Sequence, residues 1–300
     1  MGKFVKGCLI ASGIMIFVGA ICIAASAATG GLWQTEAMIA NGELSFDSRD
    51  LGVALGDYDE MMNSFKSNVL GDEISAAEIR KLDIDIEGGS LILQTTDSDF
   101  FAVEESGSRY GKVRVSGDTL YVEKEYLAKS LWKNNGNDVM ILSVPAECQL
   151  ASVDIDLGAG QIELDDFVIK GEMEIDLGAG EVLGNQVKAD RLTVNVGAGE
   201  AIFEESSVKD MEVNVGMGNM EYAGEIAGDL KADCSMGSII FELTDSEQNH
   251  NYNMNCAMGS IELEDKSYSG MASGVYLDND ADSEFTVDCA MGSIEIYFKE

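Results

Sequence analysis

The stretch that decides the fold is VDIDLGAGQIEL, at residues 153–164. Six later stretches share its pattern of a strand-like segment, a glycine corner and a second strand-like segment. They are MEIDLGAGEVLG from residue 173, LTVNVGAGEAIF from 192, MEVNVGMGNMEY from 211, LKADCSMGSIIF from 230, YNMNCAMGSIEL from 252 and FTVDCAMGSIEI from 285. Self-similarity at a period near 20 residues is typical of stacked units that cannot bury their apolar face singly. The pattern therefore predicts a seven-unit β-solenoid over residues 153–300.

One glycine occupies the same place in all seven units. The first five copies are 20, 19, 19 and 19 residues apart, and the last two steps are 22 and 33 residues. A chain that turns sharply between strands needs a residue that tolerates positive φ or close backbone approach. We therefore predict a special backbone dihedral at this position. The seven residues are Gly160, Gly180, Gly199, Gly218, Gly237, Gly259 and Gly292.

Apolar residues alternate with polar ones on both strands of each unit, which places them on one face. In the first unit these are Val153, Ile155 and Leu157 before the corner, and Ile162 and Leu164 after it. We expect coils to stack through parallel, in-register hydrogen bonds at about 4.8 Å, with the apolar residues inside. A lone Val or Ile after many units predicts a short third side of the coil. These residues are Val168, Val187, Val208 and Ile226.

Three cysteines, Cys234, Cys256 and Cys289, stand where earlier units have Leu or Val. The alternation predicts a ladder of buried thiols inside the solenoid, because free cysteine is among the most buried residue types. A disulfide between stacked cysteines is an alternative that the expected spacing of coils allows. A zinc site is disfavoured, since zinc wants four ligands that converge on one point rather than three in a line.

A second column precedes the corner and contains only Asp or Asn. One interpretation is a cap, in which the side-chain oxygen accepts hydrogen bonds from backbone N–H groups of the corner. The other is a column of carboxylates that binds calcium or another divalent ion, with Asp156, Asp176, Asp233 and Asp288 as candidate metal ligands. The interchange with amides favours the cap. The amide members are Asn195, Asn214 and Asn255.

Upstream of the repeat, residues 80–152 read as short strands that form the N-terminal β region of the same solenoid. KLDIDIEGGSLIL, FFAVEE, KVRVS, TLYVEK and DVMILSVP are too short for helices and are rich in β-branched residues. Residues 32–79 show weak patterning and are interpreted as a juxtamembrane spacer. An excursion, KSYSGMASGVYLDNDADSE, precedes the last unit and is a neutral insertion or a functional loop.

The N-terminal residues 1–31 predict a membrane anchor with a short cytoplasmic tip. Residues 8–28 are uncharged and apolar, and as a helix they would span about 30 Å of hydrocarbon. Lys3 and Lys6 precede this run, so the N-terminus is expected in the cytoplasm and the remainder outside the cell. A cleaved signal peptide is the alternative, since ASAA near Ala25 resembles a cleavage site.

The formal net charge of −35 excludes some partners. So acidic a surface repels nucleic acid and anionic lipid headgroups and attracts cations and basic partners. Catalysis has little support, because the single histidine, His250, stands in a polar turn where we expect it to be solvated. Nucleophile-elbow, P-loop and zinc-protease motifs are absent from the sequence. We therefore expect no enzymatic activity and no cofactor, with calcium as the one alternative.

The anchor, the stretch ILSVPAECQLASVDIDLGAGQIEL and the repeated GAG and MGS corners resemble a bacterial adhesin-like β-strand-repeat family of unknown function. The resemblance covers about residues 80–300. It implies an all-β, solenoid domain exposed on the cell envelope, and it transfers no site residues.

Three functional hypotheses follow. The first is a non-enzymatic cell-envelope surface protein, a single-pass membrane protein whose solenoid is an adhesin-like interaction module for an unidentified envelope component or protein. The second is an envelope scaffold that self-associates through an open edge at the C-terminal strand, GSIEIYFKE. The third is a surface module that binds divalent cations.

Overall fold

The computed structural model describes residues 74–105, 111–124, 139–269 and 274–299, all of which belong to one compact unit. The predicted anchor and nearly all of the predicted spacer lie outside these residues. Within the described part of the chain, no helix has the length and apolarity needed to cross a bilayer.

The described residues are almost entirely β-structure, as predicted, with one short 3-10 helix at Glu247–Asn249. The strands are β1 Ile74–Ser75, β2 Lys81–Ile86, β3 Gly89–Thr96, β4 Phe100–Glu105, β5 Lys112–Ser116, β6 Thr119–Lys124, β7 Val139–Pro145, β8 Ser152–Asp165, β9 Glu172–Asn185, β10 Lys188–Val215, β11 Asn219–Ile226, β12 Leu230–Cys234, β13 Ser238–Leu243, β14 His250–Cys256, β15 Ser260–Leu263, β16 Lys266–Ser269, β17 Val275–Leu277, β18 Ser283–Cys289 and β19 Ser293–Phe298.

Equivalent strands of neighbouring units pair in parallel and in register, which confirms the predicted stacking. Along β8 and β9, Asp156 pairs with Asp176, and Gly160 pairs with Gly180. Strands β2 and β3 join the same stack, because both pair in parallel with β8. The described strands of residues 80–152 are therefore continuous with the repeat rather than a separate layer.

The interior is built from ladders of identical or similar apolar side chains. Val153, Ile155 and Leu157 are at most 2% exposed, and their counterparts in the following units are at most 3% exposed. The predicted third side holds at Val187, which is fully buried. It is wrong by one residue at Val168, which is 51% exposed because its neighbours Phe167 and Ile169 turn inward.

The corner glycines are needed for space more often than for a special dihedral. Of the seven, Gly160 and Gly180 have positive φ, at 146° and 130°. Gly199 does not, yet a Cβ placed on it would lie 2.3 Å from the carbonyl oxygen of Gly180. The prediction of a special dihedral is thus wrong at five of the seven positions. There the physical reason for glycine is the close approach of the neighbouring coil.

The stack does not follow chain order at its C-terminal end. Strands β18 and β19 lie between β12–β13 on one side and β14–β15 on the other. The final strand β19 therefore has a parallel partner on each side, and the predicted open edge at the C-terminal strand is wrong. The same exchange occurs at the N-terminal end, where β2 lies between β6 and β8.

Both ends of the stack are covered by antiparallel strands. At one end, β16 pairs with β15 and β17 pairs with β14. At the other end, β5 pairs with β6 and β4 pairs with β7. Such coverage satisfies backbone groups that a bare end would offer to another chain. The described part of the excursion before the last unit supplies strands β16 and β17, and whether it is a neutral insertion or a functional loop stays a prediction.

Candidate functional site

Six carboxylates share one outer side of three adjacent strands, β2, β8 and β9. We call this set the acidic face. Its members are Asp83, Asp85, Asp154, Asp156, Glu174 and Asp176. They form two in-register columns, Asp83–Asp154–Glu174 and Asp85–Asp156–Asp176. All of them are exposed or half-buried, so the face presents carboxylates at about 4.8 Å along the stack.

The crowding changes the acidity of this face. Partial burial, followed by the charges of Asp83 and Asp176, raises the pKa of Asp154 above its usual value. Partial burial and then the Asp176 charge likewise raise the pKa of Asp156. The pKa of Glu174 is raised by partial burial and by Asp176 in the same order. Like charges and reduced hydration both disfavour the ionised form.

Farther along the stack, basic side chains offset the acids. Lys231 Nζ lies 2.6 Å from Glu212 Oε1 and 3.4 Å from Asp233 Oδ2. Its hydrogen bond holds the pKa of Glu212 below the usual value. The acidic face is therefore a local excess of negative charge and not a property of every coil.

The Asp/Asn column works differently from the cap that the sequence favours. Asn195 Nδ2 donates to Asp176 Oδ1 at 2.5 Å, and Asn214 Nδ2 donates to Asn195 Oδ1 at 2.8 Å. The corner N–H of Gly216 instead donates to the carbonyl oxygen of Val196 on the neighbouring coil. The cap interpretation is wrong here because the preceding coil already satisfies the corner amides. The amide side chains link coils along the column.

The four candidate metal ligands do not come together. Asp156 pairs with Asp176, and Asp233 pairs with Asp288, but Asn195 and Asn214 separate the two pairs along the column. Within the described ranges, no group of three or more His, Cys, Asp or Glu side chains is arranged to hold a metal ion.

The three repeat cysteines form the predicted buried ladder, in the order Cys234, Cys289, Cys256. Each is 3% exposed, and all are free thiols, so the disulfide alternative is not realised in the described chain. Burial, followed by the neighbouring thiols, raises the pKa of Cys289 to about 11. Cys289 is therefore a protonated thiol at neutral pH and a poor nucleophile.

His250 is buried rather than solvated, which contradicts the sequence-based expectation. Its Nδ1 lies 2.5 Å from Ser283 Oγ, its Nε2 lies 2.6 Å from Asp245 Oδ2, and its ring stacks on Phe285 at 4.0 Å. Ser, His and Asp in this order resemble a hydrolytic triad. Ser283 is only 7% exposed, however, and its hydroxyl lies 3.1 Å from the carbonyl oxygen of Asn249. The arrangement joins β14 to β18 inside the fold.

A row of exposed methionines is the feature that sequence reasoning missed. We call it the methionine ridge, and its members in stacking order are Met217, Met236, Met291 and Met258. They are 43%, 42%, 52% and 71% exposed, whereas the other methionines of the described ranges are buried. The signal was present in the corner triplets, where GAG changes to GMG, SMG and AMG. An open groove of about 630 Å³ lies nearby, lined by residues 233–235, 255–257 and 288–290.

This chain is similar to three solved structures at low sequence identity. A "putative cell adhesion protein" from Clostridium sporogenes is 12% identical, with 79% of this chain and 100% of that chain covered and a TM-score of 0.37. A "putative adhesin" from Bacteroides fragilis is 13% identical, with 75% and 94% covered and a TM-score of 0.44. A third, from Parabacteroides merdae, is 14% identical, with 78% and 95% covered and a TM-score of 0.24. Scores below 0.5 transfer neither function nor site residues to this chain.

The comparison with curated proteins finds no match. The sequence profile of the Toastrack DUF4097 family, a domain of unknown function, matches residues 79–287, which is more than half of the chain. The match spans strands β2 to β17 and most of β18, and thus nearly the whole stack. The resemblance to an adhesin-like family of unknown function is confirmed, and this chain belongs to the Toastrack DUF4097 family.

Proposed function

We propose that this protein is a non-enzymatic cell-envelope surface protein. Residues 8–28 anchor it in the membrane with the N-terminus in the cytoplasm, and the solenoid is an adhesin-like interaction module outside the cell. The apolar run behind two lysines supports the topology. The buried position of Ser283 and the protonated thiol of Cys289 support a binding rather than a catalytic role.

The observation that carries the proposal is the acidic face. Its two columns place carboxylates at about 4.8 Å along the stack and about 7 Å across it, on rigid paired strands. Such a lattice is complementary to a surface with closely spaced amines or guanidinium groups. The net charge of −35 would also steer a basic partner toward the module. We therefore propose a basic protein or polyamine-bearing component of the envelope as the partner.

The covered ends support lateral binding rather than growth into a filament. Because β16 and β17 cover one end and β4 and β5 the other, the sides of the stack are the large surfaces left for recognition. The scaffold hypothesis depended on an open C-terminal strand, and β19 is paired on both sides. Self-association in itself stays a prediction, which sedimentation of the full chain in detergent tests.

The binding test uses immobilised oligolysine as the probe and the full chain purified in detergent. The variant neutralises the three acids whose pKa values are raised, Asp154→Asn, Asp156→Asn and Glu174→Gln. We expect its affinity to fall by about tenfold or more, since each lost charge pair removes a fraction of a kcal/mol to about one kcal/mol. Wild-type affinity should also fall as salt rises toward 0.5 M.

A matched control separates the acidic face from net charge. It removes three exposed carboxylates near the two ends of the stack, Asp97→Asn, Asp99→Asn and Asp265→Asn. This control should keep most of the affinity, because the acidic face is intact. Equal losses in the two variants would show that only total charge matters and would overturn the proposed site.

The proposed topology is tested separately, with a tag at the C-terminus of the full chain in intact cells. External protease should remove the tag without lysis, whereas a tag protected until lysis would place the solenoid inside the cell. The topology result and the oligolysine result are independent of each other.

A further inference from the structure

The methionine ridge is a regular array rather than a set of scattered surface residues. The N–H of Met236 donates to Gly216 O, that of Met291 to Ser235 O, and that of Met258 to Ala290 O, at 2.7 to 2.9 Å. These bonds place each methionine at the same corner position on successive coils. Neighbouring Cα atoms are thus about 4.8 Å apart. Four thioethers therefore stand side by side on the outside of the fold.

The fold itself does not require methionine at this position. On the earlier coils the same corner holds Ala159, Ala179 and Ala198, which pair in register with each other. An alanine corner thus stacks as well as a methionine corner. A large apolar side chain that is 71% exposed, as Met258 is, contributes little burial to stability. The change from Ala to Met on four consecutive coils therefore alters the chemistry of the surface rather than the packing of the fold.

The thioether sulfur is a soft ligand that carries no titratable proton. Soft sulfur ligands select Cu(I) over the hard cations that carboxylates prefer. The methionine side chain is unbranched and has three rotatable bonds, so two thioethers on adjacent coils can converge on one ion without a change in the backbone. The strongly acidic chain also concentrates cations at its surface.

The buried thiols lie just inside the ridge but do not share its surface. A Cβ placed on Gly292, next to Met291, would lie 2.6 Å from Cys234 Sγ, and one placed on Gly259 would lie 2.6 Å from Cys289 Sγ. The glycine backbone therefore separates the outer thioethers from the inner thiols. Each of these cysteines is 3% exposed. The ridge is the more exposed part of this sulfur-rich corner, although the three cysteines also line the open groove beside it.

We propose that the methionine ridge is a binding site for a soft monovalent cation, Cu⁺, with Ag⁺ as its experimental surrogate. The ion is held by thioether sulfurs of adjacent coils, with Met236, Met291 and Met258 at the centre of the site. This site is separate from the acidic face and does not depend on the proposed adhesive role.

The test uses the full chain in detergent with ¹³C-methyl-labelled methionine, in a chloride-free nitrate buffer, after N-ethylmaleimide has blocked accessible thiols. Silver nitrate should shift the methyl signals of the ridge, which single Met→Leu variants assign. The signals of buried methionines such as Met173 and Met220 should stay in place. Ridge signals that do not move at a twofold excess of Ag⁺ would overturn the proposal.

The matched variant is Met236→Leu with Met291→Leu and Met258→Leu, which keeps the apolar ridge and removes its sulfur. Its Ag⁺ affinity should be weaker by about tenfold or more, while its melting temperature stays that of the wild type, because the side chains point outward. If the variant binds Ag⁺ as tightly as the wild type, the proposal fails. If the ridge instead bound an apolar partner, the leucine variant would bind that partner as tightly as the wild type does. Loss of Ag⁺ binding in the leucine variant therefore distinguishes an ion site from an apolar docking surface.

A second variant tests whether the thiols are the true ligands. Cys234→Val, Cys289→Val and Cys256→Val place in the ladder a residue that Val196 and Val215 already provide on other coils. We expect this variant to bind Ag⁺ with unchanged affinity and with the same methyl shifts. Loss of binding here would assign the ion to the interior thiols and refute a thioether site.

Discussion

Replacing Asp156 with Asn should stabilise the protein at neutral pH. Asp156 stands between Asp85 and Asp176 in its column, and each neighbour is about 4.8 Å away along the stack. Two coils farther along, Asn195 shows what an amide does in the same column, since it donates to Asp176 Oδ1 at 2.5 Å. The substitution removes two like-charge contacts and adds a donor for an adjacent carboxylate.

The magnitude follows from the geometry. Two unit charges about 4.8 Å apart repel by about 0.9 kcal/mol at the dielectric constant of water. Physiological salt reduces this to about 0.5 kcal/mol, and Asp156 is exposed, so no larger figure is justified. Two neighbours thus give about 1 kcal/mol, and one new hydrogen bond adds roughly 0.5–1 kcal/mol. The free energy of unfolding should rise by about 1–2 kcal/mol, which corresponds to roughly 2–8 °C in melting temperature.

The effect should depend on pH with a definite sign. Because the folded-state pKa of Asp156 is raised, chiefly by partial burial and then by Asp176, the folded protein binds this proton more readily than the unfolded chain does. Stability from protonation is therefore present at low pH and is lost as pH rises through the folded pKa. The advantage of Asn should be largest near pH 7 and should shrink as the pH falls toward 4 and the wild-type carboxyl takes up a proton.

The assay is thermal and urea unfolding of wild type and variant at pH 7 and pH 4, each at low and high salt. The mirror variant Asn195→Asp inserts a charge beside Asp176 and removes the amide donor, so it should destabilise the protein by a similar amount. An Asp156→Asn protein that is no more stable at pH 7, or whose gain is the same at pH 4, would refute the electrostatic account of the column.

The remaining predictions concern space, sulfur, the buried histidine and calcium. Gly180→Ala should lower the free energy of unfolding by more than about 3 kcal/mol or prevent folding, because its Cβ would lie 1.9 Å from Gly160 O. The control Gly117→Ala has nothing within 4 Å of its Cβ and should lose only about 1 kcal/mol, for its positive φ. Urea unfolding compares the two variants, and equal losses would exclude the close approach as the cause. Cys289→Val should change the free energy of unfolding by less than about 1.5 kcal/mol, whereas Cys289→Ser should lower it by about 1–3 kcal/mol because it buries a hydroxyl. The same unfolding assay ranks the two variants, and a serine variant more stable than the valine variant would contradict an apolar ladder. His250→Ala should cost about 3 kcal/mol, since it leaves a cavity and removes the partner of Asp245 Oδ2; a cost no greater than that of a surface substitution would contradict the buried network. Calcium at 1 mM should raise the melting temperature no more than sodium salt of equal ionic strength, in the wild type and in the Asp156→Asn, Asp176→Asn variant alike; a calcium-specific rise lost in the variant would establish a carboxylate site.

The interior of the fold could be predicted from the sequence because it depends on local alternation. Leu157, Leu177 and Val196 occupy the same place in successive units, and a period of two allows only one face for them. The buried thiols followed from the same argument, with Cys234 in the place of Val215. The sequence of each unit is therefore enough to predict where its strands lie and which of its residues point inward.

The order of the last coils could not be predicted, because the corner stretches DCSMGSI, NCAMGSI and DCAMGSI are nearly interchangeable as neighbours. Each would pair in register with either of the others, so the sequence leaves their stacking order open. The burial of His250 depends on that order, since Ser283 reaches it only when β18 lies beside β14. The only indication was the long step of 33 residues before the last corner glycine, which makes room for β16 and β17.

The exchange of coils at the C-terminal end has a consequence for biosynthesis. Strand β14 leaves the ribosome before β18 does, yet its parallel neighbour in the finished stack is β18. During translation β14 and β15 therefore lack their parallel neighbours until β18 and β19 have been made. A premature stop shortly before residue 283 would remove the internal strands β18 and β19 and leave β14 and β15 without their parallel neighbours. The same loss from a solenoid stacked in chain order would merely shorten it.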